Sequence, residues 1–151
     1  MATLPGARCL DLFAGSGALG LEALSRGAAH VTFVERDRQA SQAIEALLEE
    51  WDSERRHDWT LVCSDARTFL DGAAQPFDIV FLDPPFDSSI LPEVIARLES
   101  GGWLAPGARV YLECPAAHPP PAPASWAHER DKRSGQVGYH LYSRHRGIAA
   151  E

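Results

Sequence analysis

Asp11-Leu12-Phe13-Ala14-Gly15-Ser16-Gly17-Ala18-Leu19-Gly20 decides the fold of this 151-residue chain. Before it, Arg8–Phe13 reads as a short apolar strand. After it, Ala18–Arg26 reads as a helix, with Leu19, Leu21, Ala23 and Leu24 apolar and Gly27 as its stop. Glycines between strand and helix let the backbone turn tightly and let a ligand approach it closely. Gly15, Gly17 and Gly20 also match G-x-G-x-x-G, the dinucleotide fingerprint, although that spacing alone also fits a purely structural turn.

Outward from this turn, strands and helices alternate. Val31–Val34 is a β-branched and aromatic strand ending at Glu35, and residues 37–51 carry helical periodicity through Ala40, Ala43, Ile44, Leu47 and Leu48. Trp59–Cys63 reads as a strand, Asp65–Leu70 as a short helix, Phe77–Leu82 as a strand and Ser89–Glu99 as a helix with Pro92 in its first turn. Ala108–Glu113 is a further strand. Such alternation predicts an α/β fold with a parallel sheet covered by helices on both faces. Residues 115–125 are rich in Pro and Ala and read as a loop. Ala127–Arg133 and Val137–Ser143, joined through Ser134-Gly135-Gln136, read as a closing hairpin. One domain over residues 1–146 and a tail over 147–151 are expected, with no internal repeat.

Composition narrows the function classes. No apolar run approaches the roughly 18 residues of a membrane span and no signal peptide is visible, so a cytoplasmic protein without membrane contact is expected. Cys9, Cys63 and Cys114 are scattered and odd in number, two of them within apolar runs, and read as reduced thiols. No Cys/His spacing suggests a metal site. The net charge of −7 counts against a large nucleic-acid footprint. Residues 126–146, however, carry five Lys/Arg against two acids, so the C-terminal end is the expected region of any polyanion contact; a solvated hairpin face explains the same charges.

Three further features carry chemistry. Glu35 stands 20 residues after Gly15, at a strand end where a carboxylate can accept both hydroxyls of a ribose. Arg36 follows it, and Asp37 fits the cap of the next helix. Ser64-Asp65-Ala66 lies just past the third strand, where Asp65 can bind the amino group of an adenine, cap a helix, or do both. The strand Asp78-Ile79-Val80-Phe81-Leu82 runs into Asp83-Pro84-Pro85-Phe86. Proline fixes its own backbone and holds the preceding residue extended. Asp83 and the Pro84 carbonyl become two rigid acceptors beside an aromatic ring. Hydride transfer has no evident need of that arrangement. Methyl transfer to an exocyclic amine does, because that nitrogen is a poor nucleophile and gains positive charge as it attacks. Fixed acceptors also aim its lone pair, and Phe86 can stack on a base taken out of its helix.

Together these residues resemble the RsmD-type family, methyltransferases that modify guanine N2 in small-subunit ribosomal RNA. The resemblance runs from about Cys9 to Tyr142 through Leu10–Leu24, Glu35, Val80–Phe86, Gly102-Trp103-Leu104 and Gly135-Gln136-Val137. It implies a Rossmann-like class I fold that binds S-adenosylmethionine, with a mostly parallel seven-stranded sheet and a C-terminal antiparallel hairpin. Asp11, Phe13, Ala14, Gly15 and Gly17 would surround the methionine part of the cofactor. Glu35 with Arg36 would take its ribose, and Asp65 with Ala66 its adenine. Asp83, Pro84, Pro85 and Phe86 would hold the target base. Ribosomal RNA or an assembling small ribosomal subunit is the implied partner, and a monomer is expected. Family members carry a basic segment before the first strand, whereas Met1 lies only a few residues before it here, so a missing N-terminal segment is expected. An adenine-N6 methyltransferase of DNA or RNA is the runner-up. A cofactor-binding domain without catalysis and an NAD-dependent oxidoreductase are further alternatives.

Overall fold

The computed structural model describes residues 4–85, 89–118 and 122–145. Its elements run β1 (Arg8–Asp11), α1 (Ala18–Ser25), β2 (His30–Glu35), α2 (Arg38–Trp51), β3 (Trp59–Cys63), α3 (Ala66–Leu70), β4 (Phe77–Leu82), α4 (Leu91–Ser100), β5 (Leu104–Pro115), β6 (Trp126–Ser134) and β7 (Val137–Arg144). The strands form one seven-stranded sheet in the order β3-β2-β1-β4-β5-β7-β6. Packing divides the chain into two compact units, Met1–Asp71 and Gly72–Glu151. No described helix is long and apolar enough to cross a membrane.

In the first unit β1, β2 and β3 pair in parallel, Cys9 opposite Val31 and Phe33 opposite Leu61. Cys9, Leu10, Val31, Phe33 and Val34 are fully buried, as strands covered on both faces require. Helix α1 lies against β2 because residue 20 has no side chain. A Cβ there would stand 2.2 Å from the Phe33 ring. Helix α2 buries Ser41, Ile44 and Leu48 and begins at Asp37, whose carboxylate accepts the Ala40 amide at 2.8 Å. Leu47, part of the helical period, stays exposed at the margin of that stripe. Cys63 is exposed, while Cys9 and Cys114 are buried.

The second unit is built on β4, whose Phe77, Ile79, Val80, Phe81 and Leu82 are all buried. Helix α4 covers it with Leu91, Val94, Ile95 and Leu98. Strand β5 starts earlier than the sequence predicts. The expected start is Ala108, yet the strand begins at Leu104 and continues through Pro106 and Gly107. Pairing with β4 jumps from Phe77↔Leu104 to Ile79↔Arg109, and Gly107 absorbs the irregularity at φ 76°. Strand β7 runs antiparallel to both β5 and β6, as the hairpin reading and the resemblance require. The turn closes at Gly135, φ 61°. Glu99 of α4 ties this hairpin down, accepting Trp126 Nε1 at 2.7 Å and Arg144 Nε at 3.0 Å. Edge strand β6 is exposed from residue 128 onward, alternates charge and carries a bulge between His128 and Arg130. These features discourage pairing with another chain's edge.

Gly20→Ala tests the α1–β2 contact. Alanine favours a helix by about 1 kcal/mol over glycine, but overpacking costs about 1–3 kcal/mol, and a 2.2 Å approach to a buried ring makes the clash dominate. Urea unfolding should show a net loss of stability. In a double-mutant cycle, Phe33→Leu should recover part of it; simple additivity would mean that the ring does not set the spacing.

Candidate active site

Within the first unit, the turn after β1 is held by three backbone and side-chain bonds. The Ala14 amide donates to the Val34 carbonyl at 2.9 Å and the Gly17 amide to the Ala14 carbonyl at 2.8 Å. The Gly15 amide donates to Glu35 Oε1 at 2.8 Å, and the other oxygen of Glu35 accepts the Asp37 amide at 2.9 Å. One carboxylate therefore braces the glycine turn and the entry to α2. Gly15 and Gly17 take φ 58° and 84°, the left-handed region that favours glycine. At Gly17 a Cβ would press on Ile44 at 3.3 Å, whereas at Gly15 it would meet nothing within 4 Å. The space over Gly15 is thus open to a ligand. Asp11 is buried and accepts the Gly20 amide at 3.2 Å. Phe13 is partly exposed and Ala14 is buried.

Arg36 is exposed, and its carbonyl accepts the Cys63 thiol at 3.9 Å. Asp65 caps α3: Oδ1 accepts the Thr68 amide at 2.8 Å and Oδ2 the Thr68 hydroxyl at 3.0 Å. The Thr68 amide, then its hydroxyl, hold this carboxyl below its ordinary range. Ala66 is buried behind it. Each carboxylate oxygen has two acceptor positions, so Glu35 and Asp65 keep capacity for hydroxyl or amino donors beyond these bonds.

Within the second unit, Asp83, Pro84 and Pro85 follow β4 and line a cavity of about 110 Å³ with Leu91, Glu113 and Val137. Phe86 lies outside the described residues. Glu113 is the residue that the sequence reading misses. Leu82 pairs with Leu112, so Asp83 and Glu113 are the next residues along adjacent parallel strands. Their carboxyls are close enough for each to act on the other's ionisation. A signal was present, since both acids end predicted strands that neighbour each other in an alternating α/β order. Asp83 is exposed as a residue, yet desolvation of its carboxyl raises its pKa. Desolvation, and then the charge of Asp83, push Glu113 up to about 7.

The described residues also hold one grouping of metal-ligating types that spacing does not reveal. His128, Asp131 and His140 each offer an atom within 4.8 Å of the others. The β6 bulge brings residues 128 and 131 together beside β7, with His128 Nε2 at 4.0 Å from Asp131 Oδ2. His140 belongs to the face of β7 opposite Tyr139, so this group is separate from the acid–proline cavity.

The sheet contains a strand inserted antiparallel between two neighbours that run the same way, and its first βα turn is a glycine turn braced by an acid at the end of β2. That topology is the Rossmann-like methyltransferase class. A family model described as Conserved hypothetical protein 95 matches residues 1–143. Ribosomal RNA small subunit methyltransferase D of Escherichia coli (strain K12) is 47% identical over 139 residues, 91% of this chain and 69% of that protein. The protein of the same description from Haemophilus influenzae is 39% identical over 145 residues, covering 89% and 70% of the two chains. Among solved structures, a candidate methyltransferase of E. coli, yhhF, superposes with TM-score 0.88 at 45% identity, covering 95% of this chain and 80% of that one. A ribosomal protein L11 methylase from Lactobacillus delbrueckii shares the fold at TM-score 0.76 and 20% identity, covering 95% and 73%. The chain belongs to the RsmD family.

The carboxyl pair gives a stability prediction. A carboxyl raised in the folded state binds its proton more tightly there than in the unfolded chain, so stability falls as pH rises between the two values. For Glu113 the window runs from its ordinary 4.5 to about 7. Urea midpoints across that range should decline more steeply for the unchanged protein than for Glu113→Gln. Parallel curves would mean that Glu113 titrates normally.

Proposed function

We propose that the chain transfers a methyl group from S-adenosylmethionine to the exocyclic N2 amine of a guanine in small-subunit ribosomal RNA, acting in the cytoplasm. The observation that carries this reading is the acid–proline–proline end of β4 lining a small cavity, in a chain that is 47% identical to an enzyme named for that RNA. The open space over Gly15 and the spare acceptor positions on Glu35 and Asp65 suit the cofactor. Gly15 and Gly17, with Asp11, Phe13 and Ala14 around them, would hold its methionine part. Glu35 with Arg36 would hold the ribose, and Asp65 with Ala66 the adenine. Bound there, the cofactor supplies an electrophilic methyl group on a sulfonium.

The protein's own part is to make an amine nucleophilic. An exocyclic amine shares its lone pair with the ring and must pyramidalise to attack. Asp83 and the Pro84 carbonyl accept its N–H groups, turn the lone pair outward and stabilise the positive charge that grows on nitrogen. Prolines at 84 and 85 keep those acceptors fixed, so little reorganisation accompanies the reaction. Phe86 is proposed to stack on the base.

Asp83→Ala should lower the rate at saturating cofactor by about 10²–10³-fold, the usual effect of removing one preorganised charge-stabilising group. Cofactor affinity by calorimetry should change little. Collapse of affinity with turnover preserved would place Asp83 in the wrong role. Digestion of methylated small-subunit RNA to nucleosides should release N2-methylguanosine; N6-methyladenosine would establish the adenine enzyme instead. Glu35→Ala should do the reverse of Asp83→Ala, weakening cofactor binding while the rate at saturation survives.

A further inference from the structure

Methylation of an amine leaves a proton to be disposed of, and Asp83 does not stand alone to receive it. Asp83 follows directly on β4 and stands beside Glu113 of the parallel strand β5, one residue past the Leu82–Leu112 pair, and both line the same cavity. Two neighbouring carboxyl groups can hold one proton between them as a hydrogen bond. Among the described residues, the other titratable groups facing Glu113 are Tyr111, two residues back on β5, and Tyr139, its partner on β7. Burial, then the charge of Glu113, push Tyr111 up to about 12, so it stays neutral through the working range. Lys132 follows Tyr139 in register on β6, one strand further out. Asp83 and Glu113 are therefore the acids of this row that can exchange a proton.

We propose that Glu113 makes Asp83 the proton acceptor of the methyl transfer, the two carboxylates taking up as a unit the proton that the methylated amine releases. This rests on the methyl-transfer reading given above. The amine nitrogen forms its bond to the methyl carbon as the carbon–sulfur bond breaks, its electron pair remaining on sulfur. The nitrogen, now carrying a methyl group, two hydrogens and a positive charge, gives one proton to Asp83. Glu113 shares that proton through the carboxyl–carboxyl hydrogen bond. It is only partly buried, so the proton passes on to water and the pair is restored. Glu113 works through Asp83 and is a positioning residue. A second carboxylate raises the proton affinity of the first, because one proton relieves the repulsion of both. A proton acceptor matched to neutral pH is the most effective kind.

The test is the pH profile of single-turnover methyl transfer on small-subunit RNA, with 13C carboxyl titration of the protein alone as a readout independent of turnover. The unchanged protein should show an acid limb near 7, where the pair loses its shared proton. In Glu113→Gln that limb should move down by about one pH unit or more. The plateau rate should fall by roughly 10²-fold, and cofactor affinity should hold. Glu113→Asp, which keeps the charge, should retain the limb near its original position and recover part of the rate. The 13C signals should show two coupled carboxyls in the unchanged protein and a single one, titrating at lower pH, in Glu113→Gln. A limb that stays put in Glu113→Gln, or carboxyl signals that titrate independently, overturns the role of Glu113 alone. Absence of methyl transfer by the unchanged protein overturns the functional reading and this role together.

Discussion

The absence of a side chain at residue 20 sets the geometry of the first unit. Phe33 fills the space that a Cβ would need, and α1 can therefore lie close against β2. That closeness matters beyond packing. Gly20 also gives its amide to the buried Asp11, tying the first turns of α1 to the end of β1. The Ala14 amide meets the Val34 carbonyl, and Glu35, one residue on, reaches the Gly15 amide. A side chain at position 20 would push the helix away from the strand that carries Glu35. The packing of one ring and the shape of the glycine turn are thus one constraint.

The two units use acids differently. In the first, Glu35 and Asp65 accept backbone and hydroxyl donors, and both belong to turns. In the second, Asp83 and Glu113 stand beside each other, and desolvation is the largest influence on both. Carboxylates that accept several N–H groups are fixed anions suited to orienting ligand donors. Two neighbouring carboxyls are suited to exchanging a proton. The same residue types at strand ends acquire these separate capacities from their immediate neighbours.

Much of this was legible in the sequence because it depends on local rules. The glycine spacing gave the turn, the 3.6-residue period gave α2 and α4, and Asp37 and Asp65 lie where caps belong. β-branched and aromatic runs gave the strands, and Gly135 gave the hairpin turn. What escaped depends on pairing between distant segments. The early start of β5 was hidden because Pro106 and Gly107 look like a break, and only the bulged register with β4 explains why the strand survives them. The neighbourhood of Asp83 and Glu113, thirty residues apart, is set by that register. The grouping of His128, Asp131 and His140 depends instead on the β6–β7 pairing and on a bulge in β6 that no spacing rule announces.

The brace on the glycine turn has a consequence for ligand affinity. With Gly15 held by Glu35 and Gly17 by the Ala14 carbonyl, the turn is fixed by bonds within the fold itself. A protein whose competent conformation is only fractionally populated has its observed affinity reduced by that fraction. Here the ordering of the loop belongs to folding, so a ligand meeting it recruits no minor population and immobilises little extra backbone. Affinity at this end of the site then reports the contacts themselves, and changes in the stability of the first unit should pass into ligand binding only once the fold itself begins to open.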